Sequence, residues 1–144
     1  MDKIKKYPNI RSVLFHFERF FDLSNLMKTI SYFKDEGYKI GLVLNPDTFS
    51  KEVFYYLNKI DMIMFMSVWP GKEGQDFISK VLVQIEILRK EAPIYDILID
   101  GGINDKTILS ASMAGVNVFC VGSYISGNDN VIENYDKLMK IVTN

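Results

Sequence analysis

Very little in this sequence is in excess. Seventeen Lys and Arg stand against eighteen Asp and Glu, a formal net charge of −1. That balance excludes the broad basic surface that nucleic-acid-binding proteins carry, so an anionic ligand must be held by local geometry. A single cysteine, Cys120, excludes an internal disulfide and suits a reducing compartment. No uncharged apolar run reaches the roughly 18 residues needed to cross a bilayer. The basic start at residues 1–6 does not read as a signal peptide, because His16, Glu18 and Arg19 interrupt the stretch that follows. The expectation is a cytoplasmic protein with neither a membrane nor a nucleic acid as partner. What is present is apolar side chain, 48% of 144 residues, about one domain's worth and enough to exclude disorder.

Short β-type runs alternate with longer helical patterns. Residues 12–17, 39–44, 61–68, 95–99 and 117–121 read as strands. After the first, Leu26, Met27, Ile30 and Phe33 share a helix face that Ser24 can cap and Gly37 can end. Residues 50–58 read as a short helix with Val53, Phe54 and Leu57 inward. Phe77, Ile78, Val81, Leu82, Ile85 and Leu88 then recur at helical spacing up to Ala92 and Pro93. A helix from about residue 105 stops at Gly115, and the last carries Ile132, Tyr135, Leu138, Met139 and Val142. Met62, Met64 and Met66 make the third run continuously apolar, as in a strand covered on both faces. This alternation implies parallel strands with right-handed crossovers in one α/β domain over residues 1–144. Two architectures fit: a doubly wound five-stranded sheet, or part of a (β/α)8 barrel, which needs about 200 residues or more when complete.

In both architectures ligands gather at the C-terminal ends of the strands. There the sequence places Gly71 and Gly74 after the third strand, Asp100-Gly101-Gly102 after the fourth, and Gly122-Ser123 after the fifth. Glycines between a strand and a helix let backbone N–H groups approach a phosphate; they also make tight turns, and two successive glycine loops favour the phosphate. Asp100 could accept a proton, bind a metal, or serve as a turn carboxylate before Gly-Gly. His16 and Glu18 share a strand face, where two ligands are too few for a closed metal site and a polar strand end is the plainer reading. Cys120, mid-strand, reads as inert, and Lys72 and Glu73 as solvated loop residues. A receiver-type flavodoxin-like module would need an acidic cluster after the first strand, which His16-Phe17-Glu18-Arg19 does not supply.

These residues resemble a known family. The stretch 66–78, Met-Ser-Val-Trp-Pro-Gly-Lys-Glu-Gly-Gln-Asp-Phe-Ile, is similar to the ribulose-phosphate 3-epimerase signature Met-Thr-Val-x-Pro-Gly-x-x-Gly-Gln-x-Phe. Residues 41–46, His16-Phe17-Glu18, Asp100-Gly101-Gly102-Ile103 and Gly122-Ser123 resemble further family motifs, in order and at comparable spacing. The resemblance implies a (β/α)8 barrel that interconverts ribulose 5-phosphate and xylulose 5-phosphate in the pentose-phosphate route. In that family two aspartates move protons on opposite faces of C3, and a divalent metal (Zn, Fe or Mn) stabilises the enediolate. Asp100 matches one aspartate, which is also a metal ligand in the family. Met66 matches a methionine over the reactive centre. Gly71, Gly74, Gly101, Gly102, Gly122 and Ser123 match substrate and phosphate contacts.

The family's opening three units have no counterpart here, nor do the second aspartate and three of its four metal ligands. The expectation is thus a partial TIM-type barrel of five parallel strands, incomplete for catalysis by itself, with exposed edge strands that favour a homo-oligomer or other association. A sugar phosphate is the expected partner, with allulose 6-phosphate as a neighbouring substrate and a non-catalytic binding remnant as the alternative. Lys72 and Glu73 depart from the family's loop, and Glu73 would set a carboxylate against phosphate.

Overall fold

The computed structural model describes residues 9–48, 51–71, 74–127 and 129–143. Five strands, β1 (Ser12–His16), β2 (Lys39–Leu44), β3 (Met62–Met66), β4 (Asp96–Asp100) and β5 (Val118–Cys120), form one parallel sheet in the order β1-β2-β3-β4-β5. Helices α1 (Leu23–Asp35), α2 (Val81–Glu91), α3 (Ile108–Ala114), α4 (Ser123–Ser126) and α5 (Val131–Thr143) fall in the connections and at the C-terminal end, with 3-10 turns at Phe17–Arg19 and Lys51–Tyr56.

Strand order decides between the two architectures. A doubly wound sheet reverses direction at a switch point, whereas here each strand is laid beside the one before it. Right-handed crossovers in a single direction place the helices on one face. The burial agrees: Ile40, Leu42, Leu44, Ile63, Phe65, Ile97 and Ile99 alternate along β2–β4, are sealed from water, and share a core with Leu26, Ile30, Val81, Ile85 and Ala111. The opposite side of the sheet is the inner face of a barrel arc. On it Leu14, Gly41 and Met62 stand in one row, His16, Val43 and Met64 in the next, and Met66, Asp100 and Cys120 nearest the C-terminal rim. Met64 and Met66 are only half-buried. Met62 is buried as expected; for Met64 and Met66 the expectation of a strand covered on both faces is corrected, since their face is the concave one, and Ile63 and Phe65 are the residues under the helices.

Local chemistry shifted several element boundaries. Asp22, not Ser24, caps α1: its carboxylate accepts the Ser24 N–H and the Ser24 hydroxyl, both at 2.8 Å. A carboxylate is the better acceptor for the orphan N–H groups of a first turn, and these two bonds hold the Asp22 carboxyl below its ordinary value. Gly37 does end the helix, at φ +86°. Phe77 and Ile78 precede α2 rather than opening it, because the Ile78 N–H donates to Ser67 O at 2.8 Å and ties that segment to the end of β3. The expected helix at 50–58 is a 3-10 turn over Lys51–Tyr56, and Ser50 lies outside the described residues. Arg89 locks the N-terminal side of the sheet: its guanidinium donates to the carbonyls of Gly115, Pro93 and Tyr95 and to Asn117 Oδ1. No described helix is long and apolar enough to cross a membrane.

Candidate functional site

The C-terminal rim of β3, β4 and β5 surrounds a cavity of about 650 Å³. Met66, Gly71, Gly74, Asp100, Gly101, Gly102, Gly122 and Ser123, all singled out from the sequence, line it together. Three separate glycine-bearing loops thus converge on one space because their strands are neighbours in the sheet.

The Asp100-Gly101-Gly102 turn is held from beneath by Ser67. This side chain is fully buried, with its Oγ 2.6 Å from Gly101 O and 3.1 Å from Asp100 O, while its N–H donates to Asp100 O at 2.8 Å. The hydroxyl proton thus serves Gly101 O at the shorter distance, while Asp100 O already has the Ser67 N–H. On the far side of the turn, Gly102 O accepts from Asn104 Nδ2 at 3.1 Å and Thr107 Oγ1 at 2.9 Å. Between these anchors the backbone passes through φ +115° at Gly101 and +61° at Gly102. A Cβ on Gly102 would stand 3.2 Å from the Phe77 Cα, so a side chain there would press on backbone. Among the described residues, the N–H groups of Gly102, Gly122 and Ser123 make no turn or cap hydrogen bond. They are donors available to an anion. Ser67→Ala is expected to lower stability by about 1–3 kcal/mol, the range for a buried carbonyl (here Gly101 O) left without its donor, read as a lower urea midpoint at unchanged m-value.

Asp100 ends β4 half-buried, paired in register with Met66 on one side and Cys120 on the other. Cys120 therefore sits at the rim, a correction to its mid-strand placement. Burial, and after it the neighbouring Asp100 charge, push its thiol up, so it stays protonated at neutral pH and is a poor nucleophile. Among the described residues no three His, Cys, Asp or Glu side chains cluster as metal ligands. Among the described residues the cavity offers one carboxylate, Asp100, beside the Cys120 thiol, and a divalent ion needs at least three protein donors for a defined site. The described residues by themselves do not fit such an ion.

Sequence reasoning missed Ser67, whose role exists only through contacts with residues 33 and 34 positions away. It also missed Trp69, Gln75 and Ser126, which line the cavity. Gln75 Nε2 donates to Trp69 O at 2.6 Å, and the Lys80 Nζ stands 6.0 Å from the indole ring centre, so the loop after β3 is braced at its exposed tryptophan. Lys72 and Glu73 lie outside the described residues.

Comparison with known proteins agrees with this arrangement. The model of the ribulose-phosphate 3 epimerase family matches residues 2–126. The ribulose-phosphate 3-epimerase of Buchnera aphidicola subsp. Baizongia pistaciae is 38% identical over 126 residues, covering 85% of this chain and 54% of that protein. That of Schizosaccharomyces pombe is 36% identical over 96 residues, 67% of this chain and 42% of its own length. The chain spans about half the length of the curated relatives it matches. Among solved structures, 3-hexulose-6-phosphate synthase from Salmonella typhimurium superposes with a TM-score of 0.65 at 19% identity, covering 92% of this chain and 60% of that one. This likeness shows the fold, and the partial barrel is borne out.

Proposed function

Because the chain belongs to the ribulose-phosphate 3 epimerase family, we propose that its rim binds a ketose 5-phosphate and that Asp100 carries the proton at C3. The single observation behind this reading is the convergence of Asp100 and the glycine-bearing loops on one cavity. In the proposed complex the N–H groups of Gly102, Gly122 and Ser123 hold the phosphate. Gly71 and Gly74 let the loop after β3 lie against the sugar, and Met66 packs beneath the reacting carbon. C3 of ribulose 5-phosphate is α to the C2 carbonyl, so its proton is acidic enough for a positioned carboxylate to remove. Asp100 is the described rim carboxylate that would join donors from further units in holding a divalent metal.

Asp100 reaches one face of the carbon. Inversion needs a proton carrier on the other, and that group belongs to further β/α units. Among the described residues β1 and β5 each have a strand neighbour on one side only. Both edges can receive parallel strands from such units, and this is the proposed mode of association. A cytoplasmic setting is part of the proposal, supported by the single cysteine and by the rice relative named as a cytoplasmic isoform.

A second reading, sugar-phosphate binding without catalysis, is favoured by the single rim carboxylate and the lack of a three-ligand cluster among the described residues. Both readings expect phosphate recognition. Three charge-assisted hydrogen bonds at about 1.5 kcal/mol each amount to roughly a thousandfold in affinity. Calorimetry should show ribulose 5-phosphate binding tighter than ribulose by that factor. Equal affinities would sink the phosphate cup.

A further inference from the structure

We propose that the end of β1 carries a second, polyol-binding subsite, in which His16 touches the ligand and Glu18 fixes the imidazole. It rests on the reading of the rim as a ketose-phosphate site and assigns the end of the ligand remote from phosphate.

The case begins with an unmatched oxygen. Glu18 lies in the 3-10 turn after β1, and its Oε1 accepts the Asn45 N–H at 2.7 Å, tying the end of β1 to the end of β2. Its Oε2 is buried and has no hydrogen-bond partner. A carboxylate oxygen removed from water without a donor is costly. His16 Nδ1 stands 3.7 Å from that oxygen, just beyond hydrogen-bond length, and a small rotation of the ring closes the gap. A proton on Nδ1 supplies the missing donor. Catalytic and binding contacts that are long in the free protein often tighten when ligand arrives. With Nδ1 turned to Glu18, Nε2 is left as a lone-pair acceptor. The imidazole is also the more open partner, 39% exposed against 23% for the Glu18 side chain.

The surroundings say what Nε2 meets. His16, Glu18, Arg19, Phe21, Asn45 and Pro70 line a cavity of about 250 Å³. Pro70 also lines the larger rim cavity, so the two spaces adjoin. One wall offers an acceptor at His16 and a donor at Arg19, while Phe21, fully exposed, and Pro70 offer apolar faces. Hydroxyl groups both donate and accept, and the C–H edges of a polyol can lie on an aromatic ring. Glu18 disfavours a second anion in this pocket, and Arg19 disfavours a metal ion. A polyhydroxylated chain meets neither objection.

The chain has one histidine, so a single imidazole signal reports on the subsite. The test is nitrogen-detected NMR of the labelled full chain, titrated separately with ribitol and with inorganic phosphate, for wild type and Glu18→Gln. This variant keeps Oε1 for the Asn45 N–H and puts a donor where Oε2 was, which drives the ring proton to Nε2. Wild type is expected to hold its proton on Nδ1 and to show a saturable ribitol shift at His16. In Glu18→Gln the tautomer should reverse and ribitol affinity fall about tenfold, the equivalent of one well-placed hydrogen bond. Phosphate should move Gly102, Gly122 and Ser123 and leave the imidazole still. An Nε2–H tautomer in wild type, or a folded chain whose imidazole ignores ribitol, overturns the subsite. A ribitol response without any phosphate response upholds the subsite and refutes the phosphate cup instead.

Discussion

Gly101→Ala is expected to remove about 4 kcal/mol of stability and to abolish phosphate binding with it. Two costs add at this position. A residue other than glycine at φ +115° is strained by about 1–3 kcal/mol. The new Cβ would also stand 2.5 Å from Val68 Cγ2 and 3.0 Å from the Val68 N, a clash worth about 1–3 kcal/mol in a well-packed place. Val68 is stiff at its first side-chain torsion and its nitrogen belongs to the loop after β3, so neither yields easily. Relief would come by moving the Asp100–Gly102 turn off Ser67, which displaces the carboxylate and the Gly102 N–H together. Native domains have only about 5–15 kcal/mol to lose, so the urea midpoint should drop by a large fraction at unchanged m-value. A variant with the wild-type midpoint would show that the turn is not fixed as described.

Asp100→Asn carries the largest expected effect on chemistry. The exchange of deuterium into C3 of ribulose 5-phosphate in heavy water should fall by about 10²–10⁴, the usual contribution of a positioned general base. Stability and affinity for the sugar phosphate should change little. The substitution is isosteric, and the bonds that fix the strand end run through the Asp100 carbonyl rather than its carboxylate. Loss of exchange with retained affinity separates proton chemistry from phosphate recognition. Exchange that is equal in both proteins would remove Asp100 from the reaction.

Much of this was legible in the sequence, for reasons that differ by element. Strands β2, β3 and β4 are read from their apolar runs because one face is sealed under the helices and the concave face is largely apolar as well. Asp100, Gly101 and Gly102 stand out because a carboxylate before two glycines ends a strand next to another glycine loop and matches a family motif, while the residues alone leave base, metal ligand and turn carboxylate open. Strand order was not legible, since a doubly wound sheet and a barrel arc share the same alternation, and only the place of β3 between β2 and β4 settles it. The helical spacing of Phe77 and Ile78 was misleading. They face the core, as the period implies, but from an extended segment that the Ser67 carbonyl holds out of α2. The four-residue helix α4 is too short to leave a period. His16 and Glu18 read as a polar strand end, because nothing local reveals that Glu18 bonds Asn45, 27 residues away, and has an oxygen to spare.

Amide chemical shifts of the full chain during titration with ribulose 5-phosphate test the assigned site most directly. Shifts are expected to cluster at residues 100–102 and 122–123, on two loops that meet only in the folded sheet, and Gly101→Ala should erase them. Saturating shifts confined to another face of the sheet, with residues 100–102 and 122–123 unmoved, would contradict the placement of the ligand at the C-terminal rim.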